Sequence, residues 1–311
     1  MQWADRIGRR LKLRDLHVLS AVVQWGSMAK AAQHLAVSQP VVSAAVADLE
    51  HAIGVRLLDR SRRGVEPTIY GRAILKHGMV AFDALKQGVK EIEFLADPTA
   101  GELRIGCPEW ISAGLLPVII DRLLQKHPRI VFHVDQTVTG TQDFRELRER
   151  SLDVALGWLA SPLTGEDLHA ETLYHDQWCV VAGVRSPWAR RRKIKFVELV
   201  NESWQLSTLN ALQLAESFRA SGVKVPQPKV ISFSYHLRCN LLATGRYLSV
   251  VPRSLFQFGD LGASLKVLPV KLPIETRPVA IITLKGRTLS PVAGLFIECA
   301  RDVVKRLTRP R

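Results

Sequence analysis

Between Ser27 and Glu50, in the run SMAKAAQHLAVSQPVVSAAVADLE, two short helical patterns meet across the turn Ala36-Val37-Ser38. Ser27 stands at the N-cap position of the first, whose apolar and small positions are Ala31, Ala32 and Leu35. Ser38 opens the second, with Pro40 at its start, where a missing N–H costs nothing. Val42, Val46 and Leu49 recur at helical spacing and predict a buried stripe. Gln39, Pro40, Ser43, Ala44 and Ala47 are left on the outer face. Short polar and small side chains near a helix N-terminus suit a helix that enters a DNA groove, where base edges and phosphates are met. The alternative is an ordinary two-helix corner inside an all-α domain.

The residues beyond Glu50 bear on that choice. Gly54 is placed to end the second helix. Val55 to Leu58 reads as a short strand, Ser61-Arg62-Arg63-Gly64 as a tight turn and Val65 to Thr68 as the return, a small β-wing in which Arg56, Arg60, Arg62 and Arg63 crowd together. Such a tip fits along a phosphate backbone or into a narrow minor groove; the alternative is a charged hairpin with no partner. A helical stretch from about Tyr70 to Ala96 comes next, a rod of about 40 Å at about 1.5 Å per residue. Leu75, Gly78, Phe82, Leu85, Val89, Ile92 and Ala96 alternate by three and four, the spacing of a coiled-coil seam, which Gly78 weakens locally. The functional reading is dimerisation, placing two recognition helices on one near-palindromic duplex. Packing within its own chain is the alternative.

The 311 residues set a soft expectation of two or three domains, and 47% hydrophobic residues allow a sizeable core. The longest apolar runs fall far short of a membrane span, and MQWADRIGRRLKLRD lacks the apolar stretch of a secretory signal. Cys107, Cys179, Cys239 and Cys299 are scattered without metal-ligand spacing and read as reduced thiols in a cytoplasmic protein, with a redox sensor as the alternative. The net charge of +14 supports a polyanion partner only weakly. Residues 1–98 hold 14 Lys and Arg against 10 Asp and Glu, so most of the excess lies further on, part of it in a C-terminal run (Arg301, Lys305, Arg306, Arg309, Arg311) that reads as a solvated face.

From Gly101 the texture alternates between strand and helix signals. Strands are expected at Leu103–Gly106, Ile130–Val134 and Asp153–Gly157, with helices at Leu116–Gln125 and Gln142–Arg150. A second set comes after them: strand Val180–Val184, helix Leu212–Ala220, strand Val230–Phe233, helix Tyr235–Thr244 and strand Leu248–Val251. Pro273–Pro278 reads as a return crossing, after which Val279–Leu284 and the helix Val292–Leu307 rejoin the first lobe. Repeated βα units predict a mostly parallel, doubly wound α/β sheet, and two crossings make a clamshell whose cleft holds a small molecule.

At this point the chain resembles the LysR-type transcriptional regulators. The resemblance runs from about Leu13 to the C-terminus and is densest over Leu13–Gly71: Leu16, Ala21, Gly26-Ser27, Ala31-Ala32, Leu35, Val37-Ser38-Gln39-Pro40, Ser43, Leu49-Glu50, Gly54-Val55-Arg56-Leu57-Leu58, Arg60, Thr68 and Gly71. It implies an α/β protein with an N-terminal winged helix–turn–helix on a long linker helix, then a two-lobed effector domain of the periplasmic-binding-protein type. The expected domains are 1–69 for DNA binding, 70–98 for the linker and dimerisation helix, and 101–311 for effector binding, with lobe I at about 101–179 and 279–311 and lobe II at about 180–278. A homotetramer assembled as a dimer of dimers is implied by the resemblance alone.

Carried over residue by residue, the DNA-binding positions are Ser38, Gln39, Pro40, Ser43, Ala44, Arg60, Arg62, Arg63 and Thr68. Gln39 suits base edges or phosphate, Ser43 phosphate, and Pro40 a thymine methyl. Ala44 departs from the Arg or Lys common in relatives, and its methyl group cannot make the phosphate or guanine contact that such a side chain makes. Met1–Lys12 is longer and more basic than a typical family start. The effector positions fall at Glu109, Trp110, Ser112, Thr139, Thr141, Trp158, Ser207, Thr208, Ser234 and Tyr247. Hydroxyls and helix N-termini there suit a small carboxylate. Trp110 and Tyr247 depart from the smaller residues usual in the family; they either stack a flat ligand or fill the cleft as core side chains. Glu109 repels a carboxylate unless paired.

The partners expected are therefore double-stranded DNA, a small organic acid or aromatic effector, further copies of the chain and RNA polymerase as a candidate, with no membrane and no cofactor. A ligand-responsive DNA-binding regulator accounts for every segment. The alternatives are a cytoplasmic small-molecule-binding clamshell, which leaves the wing and the seam unexplained, and a DNA-binding repressor that takes no ligand. An enzyme needs a reactive constellation, and the nine dispersed histidines form none; there is no phosphate-binding glycine loop or nucleophile elbow either.

Overall fold

The computed structural model describes residues 10–61, 64–137, 143–159, 163, 165–207, 211, 215, 218–219, 222, 224–258, 263–272 and 274–307. The chain divides into two compact units, Met1–Gly88 and Val89–Arg311.

In the first unit, helix α1 (Leu13–Trp25) stops at Gly26, whose φ of 63° is the left-handed turn that glycine takes at little cost. Helix α2 (Met28–His34) follows Ser27, and helix α3 (Gln39–Ile53) follows Ser38. Both serines occupy the cap position with extended backbone, yet neither side chain makes a capping hydrogen bond. Their carbonyls accept instead, from Ala31 N at 3.0 Å and from Val41 N at 3.1 Å. Val42, Val46 and Leu49 are fully buried against Leu19, Val22 and Ala31. At about 1.5–3 kcal/mol for each large aliphatic side chain removed from water, this stripe fixes which face of α3 looks outward.

The hairpin is displaced from its expected place. Strands β1 (Leu58–Ser61) and β2 (Gly64–Pro67) pair antiparallel, with Arg60 opposite Val65. Val55 to Leu57, expected as strand, form the connection instead. The Glu50 carboxylate is the reason: its Oε1 accepts the Leu57 and Leu58 amides at 2.7 and 3.2 Å, groups that an earlier strand would give to a ladder. Leu57 is thereby sunk into the core. The long helix α4 (Ile69–Ala96) begins at Thr68, whose Oγ1 accepts the Gly71 amide at 3.0 Å and donates to the Arg56 carbonyl at 2.9 Å. Gly71 admits no side chain, because a Cβ there would run into the Leu57 carbonyl. The seam on α4 is split. Leu75 and Phe82 pack on the core of their own unit, with Gly78 beside Leu16, whereas Leu85, Val89 and Ile92 are exposed.

The second unit holds two five-stranded sheets. Strand β3 (Ala100–Cys107) leads to helix α5 (Glu109–Ser112), helix α6 (Leu115–Leu124) and strand β4 (Arg129–Gln136). The helix expected over Gln142–Arg150 is a single turn, α7 (Arg145–Arg148), bounded by left-handed Phe144 and Arg150. Its first expected residue lies outside the described residues. Strand β5 (Val154–Trp158) follows, then strand β6 (Leu168–Asp176), which sequence reading missed. Strand β7 (Trp178–Gly183), helix α8 (Phe196–Leu199), strand β8 (Trp204–Leu206), strand β9 (Pro228–Ile231), helix α9 (Tyr235–Ala243) and strand β10 (Leu248–Pro252) come next. The helix expected at Leu212–Ala220 falls mostly outside the described residues. Helix α10 (Leu255–Phe258), strand β11 (Leu265–Val267), strand β12 (Arg277–Leu284) and helix α11 (Pro291–Leu307) complete the order.

The sheets run β4-β3-β5-β12-β6 and β11-β7-β10-β8-β9. They are mixed rather than mostly parallel. In the first, β12 is antiparallel to both β5 and β6; in the second, β7 is antiparallel to both β10 and β11. The chain crosses between the sheets at Gln177 and again before β12, and a strand arriving from the other lobe enters with its direction reversed. As expected, β12 and α11 return to the first lobe, where α11 packs beside α6 and β3.

Candidate nucleic-acid interface and inter-lobe cleft

On α3 the buried stripe leaves Gln39, Pro40, Ala44 and Ala47 exposed and Ser43 half-buried, with Ser38 exposed at the start of the helix. Val37 and Val41, both above 40% exposed, add apolar surface at the same end. The N-terminal amides of α3 carry the positive end of the helix dipole, which favours an anion at this face. On the hairpin Arg60 is exposed, as is Arg56 in the connection before it, while Arg62 and Arg63 lie outside the described residues. Thr68 differs from the others, since its hydroxyl is engaged on both sides in starting α4.

In the second unit the described positions expected around the cleft, Tyr247 excepted, gather at the carboxyl ends of parallel strands, next to helix starts. Glu109, Trp110 and Ser112 lie on α5, directly after β3. Trp158 is the last residue of β5, and Ser207 follows β8. Ser234 is the N-cap of α9, its hydroxyl accepting the Leu237 amide at 3.2 Å. Tyr247 is not brought to these ends: it precedes β10 at the amino end, whereas the carboxyl end, Pro252, is the one that pairs with Trp178. Thr139, Thr141 and Thr208 lie outside the described residues.

The aromatic groups meet. Trp110 stacks on Trp158 with ring centroids 4.6 Å apart, and Trp158 tilts against Trp178 at 4.3 Å. Trp158 and Trp178 are buried, and Trp110 is packed on both the large core and a smaller cluster that also includes Tyr247. The Arg246 guanidinium sits over the Tyr247 ring at 5.9 Å. The three tryptophan rings thus fill space between the lobes as core side chains do, while Tyr247 packs within the second lobe. Ser112 turns back to donate to the Glu109 carbonyl at 2.8 Å.

Three residues that sequence reading passed over complete the arrangement. Tyr235, the first residue of α9, donates its backbone amide to Glu109 Oε2, so that a carboxylate from one lobe closes on a helix start from the other. Arg238, one turn further, is only 7% exposed. Burial lowers its pKa from the ordinary guanidinium value, and the nearby Glu109 charge opposes that shift. Trp178 extends the stack into the second lobe. Tyr235, Arg238 and Leu242 recur at three-four spacing, so an arginine on the inward stripe of α9 was the available signal.

All four cysteines are free. Burial pushes the Cys107 and Cys179 thiols up to about 12, and raises those of Cys239 and Cys299 as well. That is the reverse of the lowered pKa a peroxide-sensing thiolate needs.

A helix–turn–helix with a wing, followed by a two-lobed α/β domain, is the architecture of a transcription regulator. Residues 13–72 match the model of the bacterial regulatory helix-turn-helix protein, lysR family, and residues 96–305 match the LysR substrate binding domain. The chain belongs to the LysR family, whose members are transcriptional regulators and not enzymes. It is 28% identical to the HTH-type transcriptional regulator GbpR of Azospirillum brasilense over 94% of this chain and 86% of that protein. It is 27% identical to the HTH-type transcriptional regulator GalR of Pseudomonas putida over 94% and 74%. Among solved structures it resembles a full-length OxyR variant from Pseudomonas aeruginosa, with a TM-score of 0.62, 23% identity and 95% of each chain covered. It also resembles full-length CbnR in complex with its target DNA, with a TM-score of 0.53, 20% identity and 94% and 100% covered. Among the described residues no helix is long and apolar enough to cross a membrane.

Proposed function

We propose that this regulator recognises a near-palindromic operator through the outer face of α3 and the arginine-bearing hairpin, and that a small organic acid or aromatic compound held between the two lobes changes how the operator is bound. The observation that carries the reading is the division of α3: Val42, Val46 and Leu49 have no exposed surface, while Gln39, Pro40, Ala44 and Ala47 on the opposite side are open to solvent. In this reading Gln39 reads a base edge or phosphate, Ser38 and Ser43 bond phosphate, Pro40 and Ala44 touch apolar base surface, and Arg60, Arg62 and Arg63 track the backbone beside the groove. Thr68 serves by starting α4 rather than by touching DNA.

The working division is residues 1–69 for DNA binding, 70–98 for the linker helix and 101–311 for the effector. Dimerisation through Leu85, Val89 and Ile92 sets two copies of α3 on one duplex, and the dimer of dimers implied by the family completes the assembly in the cytoplasm. The effector's influence is limited to its difference in affinity for the two lobe arrangements.

Gln39→Ala tests this. Loss of a bidentate base contact costs about 1–3 kcal/mol, so affinity for a selected operator should fall about 5- to 150-fold while the urea unfolding midpoint stays in place. Equal binding of operator and random duplex by the parent protein at moderate salt would overturn the reading.

A further inference from the structure

The contact between Glu109 and α9 has the form of a filled ligand site. Glu109 belongs to lobe I, directly after β3, and its Oε2 accepts the Tyr235 amide at the first turn of α9 in lobe II. Arg238 lies one turn further, more than nine-tenths buried, with its guanidinium over the Tyr235 ring at 5.5 Å. Its Nε and Nη1 atoms are buried with no hydrogen-bond partner among the described residues. A guanidinium presents two carboxylate-fitting edges, Nε with Nη2 and Nη1 with Nη2, and here each edge carries an unused donor. Leaving such donors buried and unused is costly, because their hydration is lost and nothing replaces it.

Glu109 supplies the compensating charge without closing the fork. Its carboxylate is tied to the Tyr235 amide and is tethered to α5, and among the described residues it makes no ion pair with Arg238 within 4.0 Å. A carboxylate free of that tether could take the helix amide and the guanidinium fork together. We propose that the start of α9 with Arg238 is a carboxylate-binding site which the chain occupies with its own Glu109, and that a small free carboxylate exchanges with Glu109 and thereby unties lobe I from α9. This rests on the reading of the inter-lobe cleft as the effector site and deepens it. It narrows the ligand to a carboxylate and gives Glu109 the part of an internal competitor, in place of the repulsive neighbour that its charge alone suggests. Exchange separates the two lobes at the point where Trp110 reaches from α5 into the cluster around Tyr235.

The test is chemical rescue in the full-length chain, using sodium acetate and sodium formate against sodium chloride at constant ionic strength. Glu109→Ala removes the internal carboxylate and should melt lower than the parent. Acetate should raise that melting temperature saturably, by about 3 °C or more at ten times its Kd, and chloride should not. The double variant Glu109→Ala/Arg238→Met should show no acetate-specific rise. Should Glu109→Ala fail to fold, Glu109→Gln keeps the size and an acceptor for the Tyr235 amide while removing the charge, and acetate should stabilise it in the same saturable way. Equal responses to acetate and chloride, or rescue that survives in the double variant, overturn the proposal. Operator retardation by the parent protein separates the two ideas: rescue without DNA binding sinks the regulator reading alone, and DNA binding without rescue sinks this one alone.

Discussion

At the scale of single residues, the turn between α2 and α3 is held at Ala36, whose φ of 53° is left-handed. A Cβ in that conformation costs about 1–2 kcal/mol, and glycine escapes it while losing about 0.5–1 kcal/mol in chain entropy. Ala36→Gly should therefore raise stability by about 0.5 kcal/mol, read as a higher urea midpoint with unchanged slope; a lower midpoint would show that the turn is not strained. The turn was expected at Ala36-Val37-Ser38, but nothing in the sequence betrays the left-handed conformation of Ala36, because alanine reads as a helix former. Gly54 announced its turn and adopts a φ of 88°. Glu50 was legible only as a matched position. Its real work, accepting the Leu57 and Leu58 amides, joins residues seven and eight apart, and no periodicity encodes that.

At the scale of elements, α4 shows why a pattern can be right in spacing and still serve two purposes. The three-four alternation from Leu75 to Ala96 looks uniform, but what covers each position depends on where α4 lies on its neighbours. Up to Phe82 the stripe is taken up by the chain's own helices. Beyond it Leu85, Val89, Ile92 and Leu95 are 52%, 54%, 67% and 74% exposed, a run of apolar surface that water penalises at about 25 cal/mol per Å². If a second copy covers this run, Leu85→Lys with Ile92→Lys should place two desolvated charges in the interface. Sedimentation at micromolar concentration should then show monomer where the parent sediments as dimer or larger. Unchanged sedimentation would assign the contact elsewhere. The end of α4 is also anchored within its own unit: Lys90 Nζ lies 3.3 Å from Asp153 Oδ2, and the buried Arg287 donates to Asp153 Oδ1 at 3.0 Å. Such long-range charge pairs carry no sequence signature, which is why that end of the helix could be read only as a stripe.

At the scale of the whole molecule, the order of strands and helices was readable because each βα unit is local, whereas strand direction was not. β6 was missed because LHAETLYHD mixes polar residues through a strand that is buried mainly at its ends, and its pairing with β12 spans about a hundred residues of chain. That distant pairing is fastened by charge. Arg301 on α11 donates to both carboxylate oxygens of Glu171 on β6 at 2.6 Å, and Arg148 holds Asp167 just before the same strand. These guanidinium hydrogen bonds hold the Glu171 and Asp167 carboxyls below their ordinary values. A carboxyl whose pKa is lower folded than unfolded contributes stability that is complete above the unfolded value and is lost as pH falls through the folded one. The unfolded values are 4.5 for Glu171 and 3.8 for Asp167, so lobe I should lose stability as pH drops below about 4.5. Both partners of the Glu171 pair are partly exposed, which limits it to less than about 1 kcal/mol. Arg301→Gln should accordingly lower the urea midpoint slightly at pH 7, and the gap to the parent should close as the buffer is taken from pH 5 toward pH 3. A gap of constant size across that range would mean that Arg301 acts through the packing of its alkyl stem and not through its charge.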